Sequence, residues 1–269
     1  MKNIFTLLIS ASMVLTTACQ DNLTTSVAPQ KAVVEAYLSP NNTMDILVTK
    51  ELPFSDTTTA VQPITNLTVQ IQYDNKIITL KSGNNGHYTS DVKVDSNKTY
   101  RLFFDYGGKT VEATTTIPAK PTGFSESVYE IKIAQFTQGG GGGFGIPQPD
   151  PVKLVWNNPN NDFFLVVAHN TENYPEEINI RPAGVNIPSR QFRSRPQATS
   201  AYEIRPRQFV YYGRHDMILY RINGEYASLH DDSGSNSLNL TAPYTNVKNG
   251  LGIFTGVSAD TLKLLVSKL

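Results

Sequence analysis

The sequence is poor in several things from which functional sites are commonly built. It has one cysteine and four histidines among 269 residues. A single thiol excludes an intramolecular disulfide framework and any multi-cysteine zinc or iron–sulfur centre. His87, His169, His215 and His230 are scattered, with no H-E-x-x-H or other close pair, so the spacing of a zinc site is missing too. Charge is scarce: 17% of residues carry it, and 23 basic side chains balance 23 acidic ones. That balance argues against a nucleic-acid partner, which demands a basic excess. No G-x-S-x-G elbow occurs and ordinary nucleophilic catalysis has no visible candidate, so neither an enzyme nor a cofactor is expected. The apolar run Ile4 to Ala18 falls short of the about 20 residues that span a bilayer, and nothing after Cys19 is long enough.

That run follows Met1-Lys2-Asn3 and ends Leu15-Thr16-Thr17-Ala18-Cys19. A basic start, an uncharged apolar stretch and a small residue before cysteine resemble a secretory signal ending in a bacterial lipobox. The resemblance implies cleavage after Ala18, a diacylglycerol on the Cys19 thiol and anchorage in a membrane through several acyl chains, which hold far more firmly than one. A leftover thiol in a secreted chain is otherwise unusual. Residues 1–18 are therefore read as a signal peptide and 19–30 as a lipidated flexible tether, polar and without periodicity.

What remains has the composition of β-sheet, low in charge and rich in Thr, Tyr, Val and Asn. Residues 31–118 read as about seven short strands separated by turns, the count and spacing of an immunoglobulin-like β-sandwich. Asp74-Asn75 and Gly107-Gly108 are hairpin turns, and Tyr100 opens a late strand where a tyrosine corner falls. Pro118-Ala119-Lys120-Pro121-Thr122-Gly123 marks a boundary. Residues 119–269 then read as a second β-sandwich-like domain, similar in rhythm to fibronectin type III, with a Gly/Pro-rich insert at 137–151. Val128–Phe136 alternates as one strand. Val152–Trp156 and Phe163–Ala168 read as paired strands with the only tryptophan between sheets. Asn223 reads as the cap of a short helix. Met217–Ile222 is a further strand, and Thr261–Val266 a last strand or helix. The fold class is thus all-β.

Val33-Val34-Glu35-Ala36-Tyr37-Leu38, Thr114-Thr115-Thr116-Ile117-Pro118 and Asn249-Gly250-Leu251-Gly252-Ile253-Phe254, together with Cys19, resemble the lipoprotein family called domain of unknown function 4249. The resemblance covers nearly all of the chain after Cys19, and the tail is its most specific part. It implies an outer-membrane lipoprotein, on the periplasmic or cell-surface face, often encoded beside a TonB-dependent transporter. The partners so implied are the membrane, through the lipid, and that transporter. The role implied is accessory or binding; a structural or adhesive surface protein is the alternative, and an adjacent transporter gene or an adhesin cluster separates the two. The family brings no catalytic residues to carry over.

Two local features invite a site. Gly140-Gly141-Gly142-Gly143-Phe144-Gly145 fits G-x-G-x-x-G, but Ile146-Pro147-Gln148-Pro149-Asp150-Pro151 cannot start the helix a dinucleotide needs, so it reads as a loop. His230-Asp231-Asp232 offers oxygen ligands but reads as a polar turn. Arginine is more informative: eight of nine lie between Arg181 and Arg221, a stretch with no lysine and only Glu203 and Asp216 as acids. Guanidinium forks chelate carboxylates and phosphates and stack on rings. Arg190, Arg193, Arg195, Arg205 and Arg207 are therefore candidates for an anionic ligand or partner. The competing reading pairs the arginines with Glu172, Glu176 and Glu177 across a sheet.

Overall fold

The computed structural model describes residues 30–52, 61–137, 148–182, 184, 186–230 and 244–269. Cys19 and the leader, the glycine run and Asp231–Asn236 lie outside these. Among the described residues the protein is all-β, as expected from its composition, apart from one short helix and isolated 3-10 turns.

The first unit has eight strands. β1 (Ala32–Leu38), β2 (Thr43–Lys50), β5 (Lys81–Ser82) and β6 (His87–Lys93) form one sheet; β3 (Gln70–Tyr73), β4 (Lys76–Thr79), β7 (Thr99–Tyr106) and β8 (Lys109–Thr116) form the other, in the order β4-β3-β7-β8. Alternation explains the layering: in β1, Ala32, Val34, Ala36 and Leu38 are buried and meet Ile71, Leu102 and Val111 of the facing sheet. Asp74 and Asn75, at φ 45° and 61°, make the β3–β4 turn with both central residues left-handed, the twist a two-residue hairpin wants. Buried tyrosines are satisfied. Tyr88 donates to the Ile64 carbonyl at 2.9 Å and accepts from the Leu67 N–H at 3.1 Å. Tyr100 accepts from the Asp95 N–H at 2.9 Å, the upstream backbone bond expected of a tyrosine corner.

The second unit contains β9 (Ser125–Glu126), β10 (Glu130–Ile133), β11 (Phe136–Thr137), β12 (Val152–Val155), β13 (Phe163–Asn170), β14 (Asn179–Ile180), β15 (Gln191–Arg193), β16 (Ala201–Ile204), β17 (Gly213–Ile222) and helix α1 (Gly224–Ser228). Here β12 and β13 differ from the expected pair. β12 pairs with β16 and β9, whereas β13 pairs with β15 and β17, so the two lie in opposite sheets. The Asn158 side chain holds the connection between them. It accepts from the Asp162 N–H at 2.8 Å and donates to the Asp162 and Thr199 carbonyls, closing a loop that carries the chain across the core. Trp156 then packs on Phe164 at 5.5 Å between centroids. β13 is buried on both faces: Phe164, Val166 and Ala168 point to that core, Leu165 and Val167 to a smaller cluster with Ile222, Tyr226 and Ile253. A near-continuous apolar run is what such a strand needs.

The last strand joins the units. β18 (Leu251–Lys268) is a single strand of 18 residues, about 60 Å long at roughly 3.3 Å per residue. Its start pairs parallel with β1, Val33↔Leu251 to Leu38↔Gly256; its middle pairs antiparallel with β17, Ile222↔Val257 to Gly213↔Val266; its end pairs parallel with β10. Val247 and Phe254 belong to the first core, Leu264 and Val266 to the second. The first core therefore draws on chain far beyond residue 118. Glycine makes this possible. Gly252 has φ +95°, and a Cβ there would lie 2.0 Å from the Val34 carbonyl oxygen; one at Gly256 would lie 2.9 Å from the Ile117 Cα.

Candidate functional site

The arginines leave the second unit in different directions rather than meeting in one patch. Arg181 pairs with Glu177, four residues earlier in the same segment, at 3.6 Å, and Arg221 of β17 pairs with Asp162 beside β13, so of these two pairs only the second joins neighbouring strands. Glu172 and Glu176 are otherwise engaged: Glu172 accepts from the Arg214 backbone N–H at 2.9 Å, and Glu176 binds Lys268 at 2.6 Å. Arg190 is held by the Glu172 and Asn173 carbonyls at 3.0 and 3.4 Å. Arg195 is exposed and has interactions of its own. Arg193, on β15, lies over the Tyr226 ring at 5.6 Å.

Arg205 and Arg207 are brought together with Arg181 on the rim of a groove of about 910 Å³. A 3-10 turn over Pro206–Gln208 fixes both: the Gln208 side chain accepts from the Arg205 N–H at 2.7 Å, and the Gln208 N–H donates to the Arg205 carbonyl at 2.9 Å. Pro206 is buried beneath the turn while both flanking arginines stay exposed. The floor is apolar, with Ile133, Ile178 and Phe209 each buried, and Pro149 and Pro188 form walls. Among the described residues no acidic side chain lines the groove. Among the described residues neither the Arg205 nor the Arg207 guanidinium has a partner. The Asn179 Oδ1 atom is buried there without a hydrogen bond from any described residue.

A smaller cavity of about 350 Å³ lies where the units join. Tyr37 comes from β1 and Tyr226 from α1, edge to face at 5.9 Å, and Arg193 closes the side. Burial, and then the Glu35 carboxylate, push the Tyr37 pKa up, while Arg193 pulls it down. Beside it a polar knot ties α1 to the first unit. The Glu225 carboxylate accepts from the Thr115 hydroxyl at 2.8 Å and the Thr255 hydroxyl at 3.2 Å; Thr115 Oγ1 accepts from the Asn223 amide and the Gly256 N–H, both at 3.0 Å. One donation and two acceptances saturate that hydroxyl. Asn223 precedes the helix as expected, yet its side chain makes no capping hydrogen bond; its amide instead donates to Thr115 and to the Thr116 carbonyl at 2.8 Å. Sequence reasoning missed this knot, since partners more than 100 residues apart leave no local signal.

The histidines are dispersed. His87 meets Asp45 at 2.9 Å, and His230 lies against Tyr226 at 5.4 Å. His215 is buried, with Nδ1 3.0 Å from the Gly213 carbonyl and an edge contact to Phe209. Burial pushes its pKa below the ordinary 6.5. The unfolded chain then takes up a proton before the folded one as pH falls below about 6.5, so folding weakens with acid, by at most about 1.4 kcal/mol per pH unit for one proton. Thermal midpoints are expected to drop between neutral pH and pH about 5, and His215→Gln is expected to flatten that slope; an unchanged slope contradicts the assignment. Among the described residues no three His, Cys, Asp or Glu side chains gather into a metal site, and no helix is long and apolar enough to cross a membrane.

Two layered β units sharing one strand, with an arginine-rimmed groove on the second, define an all-β protein whose most distinctive segment is its C-terminal strand. Residues 20–263 match the family model described as domain of unknown function (DUF4249), and the chain belongs to that family. A comparison with curated proteins found no match.

Proposed function

We propose that this protein is an outer-membrane lipoprotein, held by acyl chains on Cys19, that serves without chemistry of its own as a binding or accessory component of a TonB-dependent transporter. The observation that carries the reading is the position of the only cysteine, directly after an apolar leader and small residue. The layout of the folded part agrees with it: β1 begins at Ala32, so residues 20–31 are all that separate the anchor from a strand in the middle of a sheet. Such a segment reaches at most about 40 Å, which keeps the first unit close to the membrane. The link to a transporter rests on the family resemblance, and the groove supplies a surface with which a partner or ligand can be held. Purifying the lipidated protein from detergent-solubilised outer membranes tests this. A TonB-dependent transporter is expected to accompany it in comparable amount; recovery of the protein alone, or with adhesin subunits, contradicts the proposal.

A further inference from the structure

We propose that the passage of β18 from the first unit to the second, between Gly256 and Val257, is a hinge, and that the polar knot around Glu225 is the latch that holds it at one angle. The sheet itself leaves a break there. β1 lies along one edge of β18 and pairs with it as far as Leu38↔Gly256; β17 lies along the other edge and pairs only from Ile222↔Val257. Both partners end at the changeover, at Leu38 and Ile222, and among the described residues no strand pairs across it. The end of a paired stretch is where a hinge between units takes up its change in backbone angles. Phe254 is held in one core and Leu264 in the other, so bending at Gly256 leaves both cores closed.

The knot spans that break. Thr115 stands near the end of β8 in the first unit, Asn223 and Glu225 follow directly on β17, and Thr255 and Gly256 are the last residues of β18 before the changeover. Glu225 Oε1 is the common acceptor: it takes the Thr115 hydroxyl at 2.8 Å, the Asn223 amide at 3.1 Å and the Thr255 hydroxyl at 3.2 Å. Thr115 in turn accepts the Gly256 N–H at 3.0 Å. Thr115 and Thr255 are 3% and 0% exposed, and a buried hydroxyl without an acceptor is costly. The other acceptor near Thr255 is the Gly256 carbonyl at 3.5 Å, the outer limit of a bond. Tyr226 packs with Leu165, Val167 and Ile222, so α1 moves with the second unit. Swinging that unit away carries Glu225 off and leaves both hydroxyls short of their acceptor, which favours one angle. The other ties across the joint are less selective. Lys120 and Asp260 pair at 2.9 Å with the lysine 65% exposed, which contributes little. The contact of Tyr226 with Tyr37 and the apolar cluster it shares with Ile253 are non-directional, so they hold the units together without fixing their angle.

The test measures the distance between the units in the full chain carrying Cys19→Ala, with nitroxide labels on Thr89→Cys of β6 and Glu203→Cys of β16, both exposed positions. Double electron–electron resonance is expected to give one narrow distance distribution for this parent. Glu225→Leu removes the acceptor and is expected to widen the distribution about twofold or more. Thr115→Val, which removes the bridging hydroxyl, is expected to widen it too. Glu225→Gln keeps an accepting oxygen and is expected to keep the narrow distribution, as is Lys120→Gln. A second pair of labels inside the first unit, on Thr89→Cys and the exposed Thr110→Cys, is expected to be unchanged in every variant, since the latch acts between units. A broad distribution in the parent, a narrow one in Glu225→Leu, equal widening by Glu225→Gln or Lys120→Gln, or widening of the pair inside the first unit overturns the proposal. None of these readouts depends on a lipid or a transporter, so a failure here counts against the latch alone.

Discussion

Gly252→Ala is expected to destabilise the protein by about 3–5 kcal/mol, a large part of the about 5–15 kcal/mol available to a domain. Two costs add. The residue sits at φ +95°, where an L side chain is strained, and its Cβ would be 2.0 Å from the Val34 carbonyl oxygen. That oxygen belongs to β1, directly opposite in the parallel register, so relief requires β1 and β18 to part. Gly107→Ala is the comparison. Gly107 also has positive φ, +58°, but nothing lies within 4 Å of a Cβ there; its replacement is expected to cost only about 1 kcal/mol. Urea unfolding of the two variants separates crowding from backbone strain. Because β18 contributes Phe254 to one core and Leu264 and Val266 to the other, both units are expected to unfold in one transition. Equal losses for the two variants contradict the strand pairing.

Features set by local chemistry were legible from the residues alone. Asp74-Asn75 and Gly107-Gly108 are turns because few residue types tolerate two successive left-handed positions. Alternation in Ala32–Leu38 identified its buried face. The pairing of Phe163–Asn170 was not legible, since a run apolar on both faces carries no period to say which neighbour it takes. β18 was least legible of all. Its first partner, β1, lies more than 200 residues away, and Gly250 and Gly252 look like breakers when seen without the strand they admit. Those glycines are the same ones that mark the family tail. Their spacing has a physical cause in the close approach of Val34 and Ala32.

The arginine stretch divides the same way. Its enrichment is plain in the sequence, but its distribution depends on register and on one turn. Arg193 lies on β15 and reaches Tyr226 at the joint, whereas Arg205 and Arg207 flank buried Pro206 and reach the groove. Asn179 carried no signal, because nothing in a sequence tells an unpartnered acceptor from a satisfied one. Glu112 shows how much charge pairing is hidden as well. Hydrogen bonds from Lys248 and Arg101 hold its pKa at about 2, yet Lys248 is distant in sequence and comes to the β8 edge only because the segment before β18 docks there.

Loss of the anchor is the other large effect expected. Nothing in residues 4–18 is long enough to span a bilayer once cleaved or uncleaved, and no helix among the described residues does so. On the proposed reading, membrane residence depends on acyl chains, each buried CH₂ contributing about 0.8 kcal/mol, and two or more chains make the attachment effectively stable. The thiol of Cys19 is the only one in the chain that can carry them. Fractionation of cells expressing the wild type and Cys19→Ala is accordingly the most direct measurement. The account predicts wild-type protein in the outer-membrane pellet, released by detergent but not by salt, and the variant almost wholly in the soluble fraction. Wild-type protein in the soluble fraction, or a variant that stays in the pellet, would contradict it.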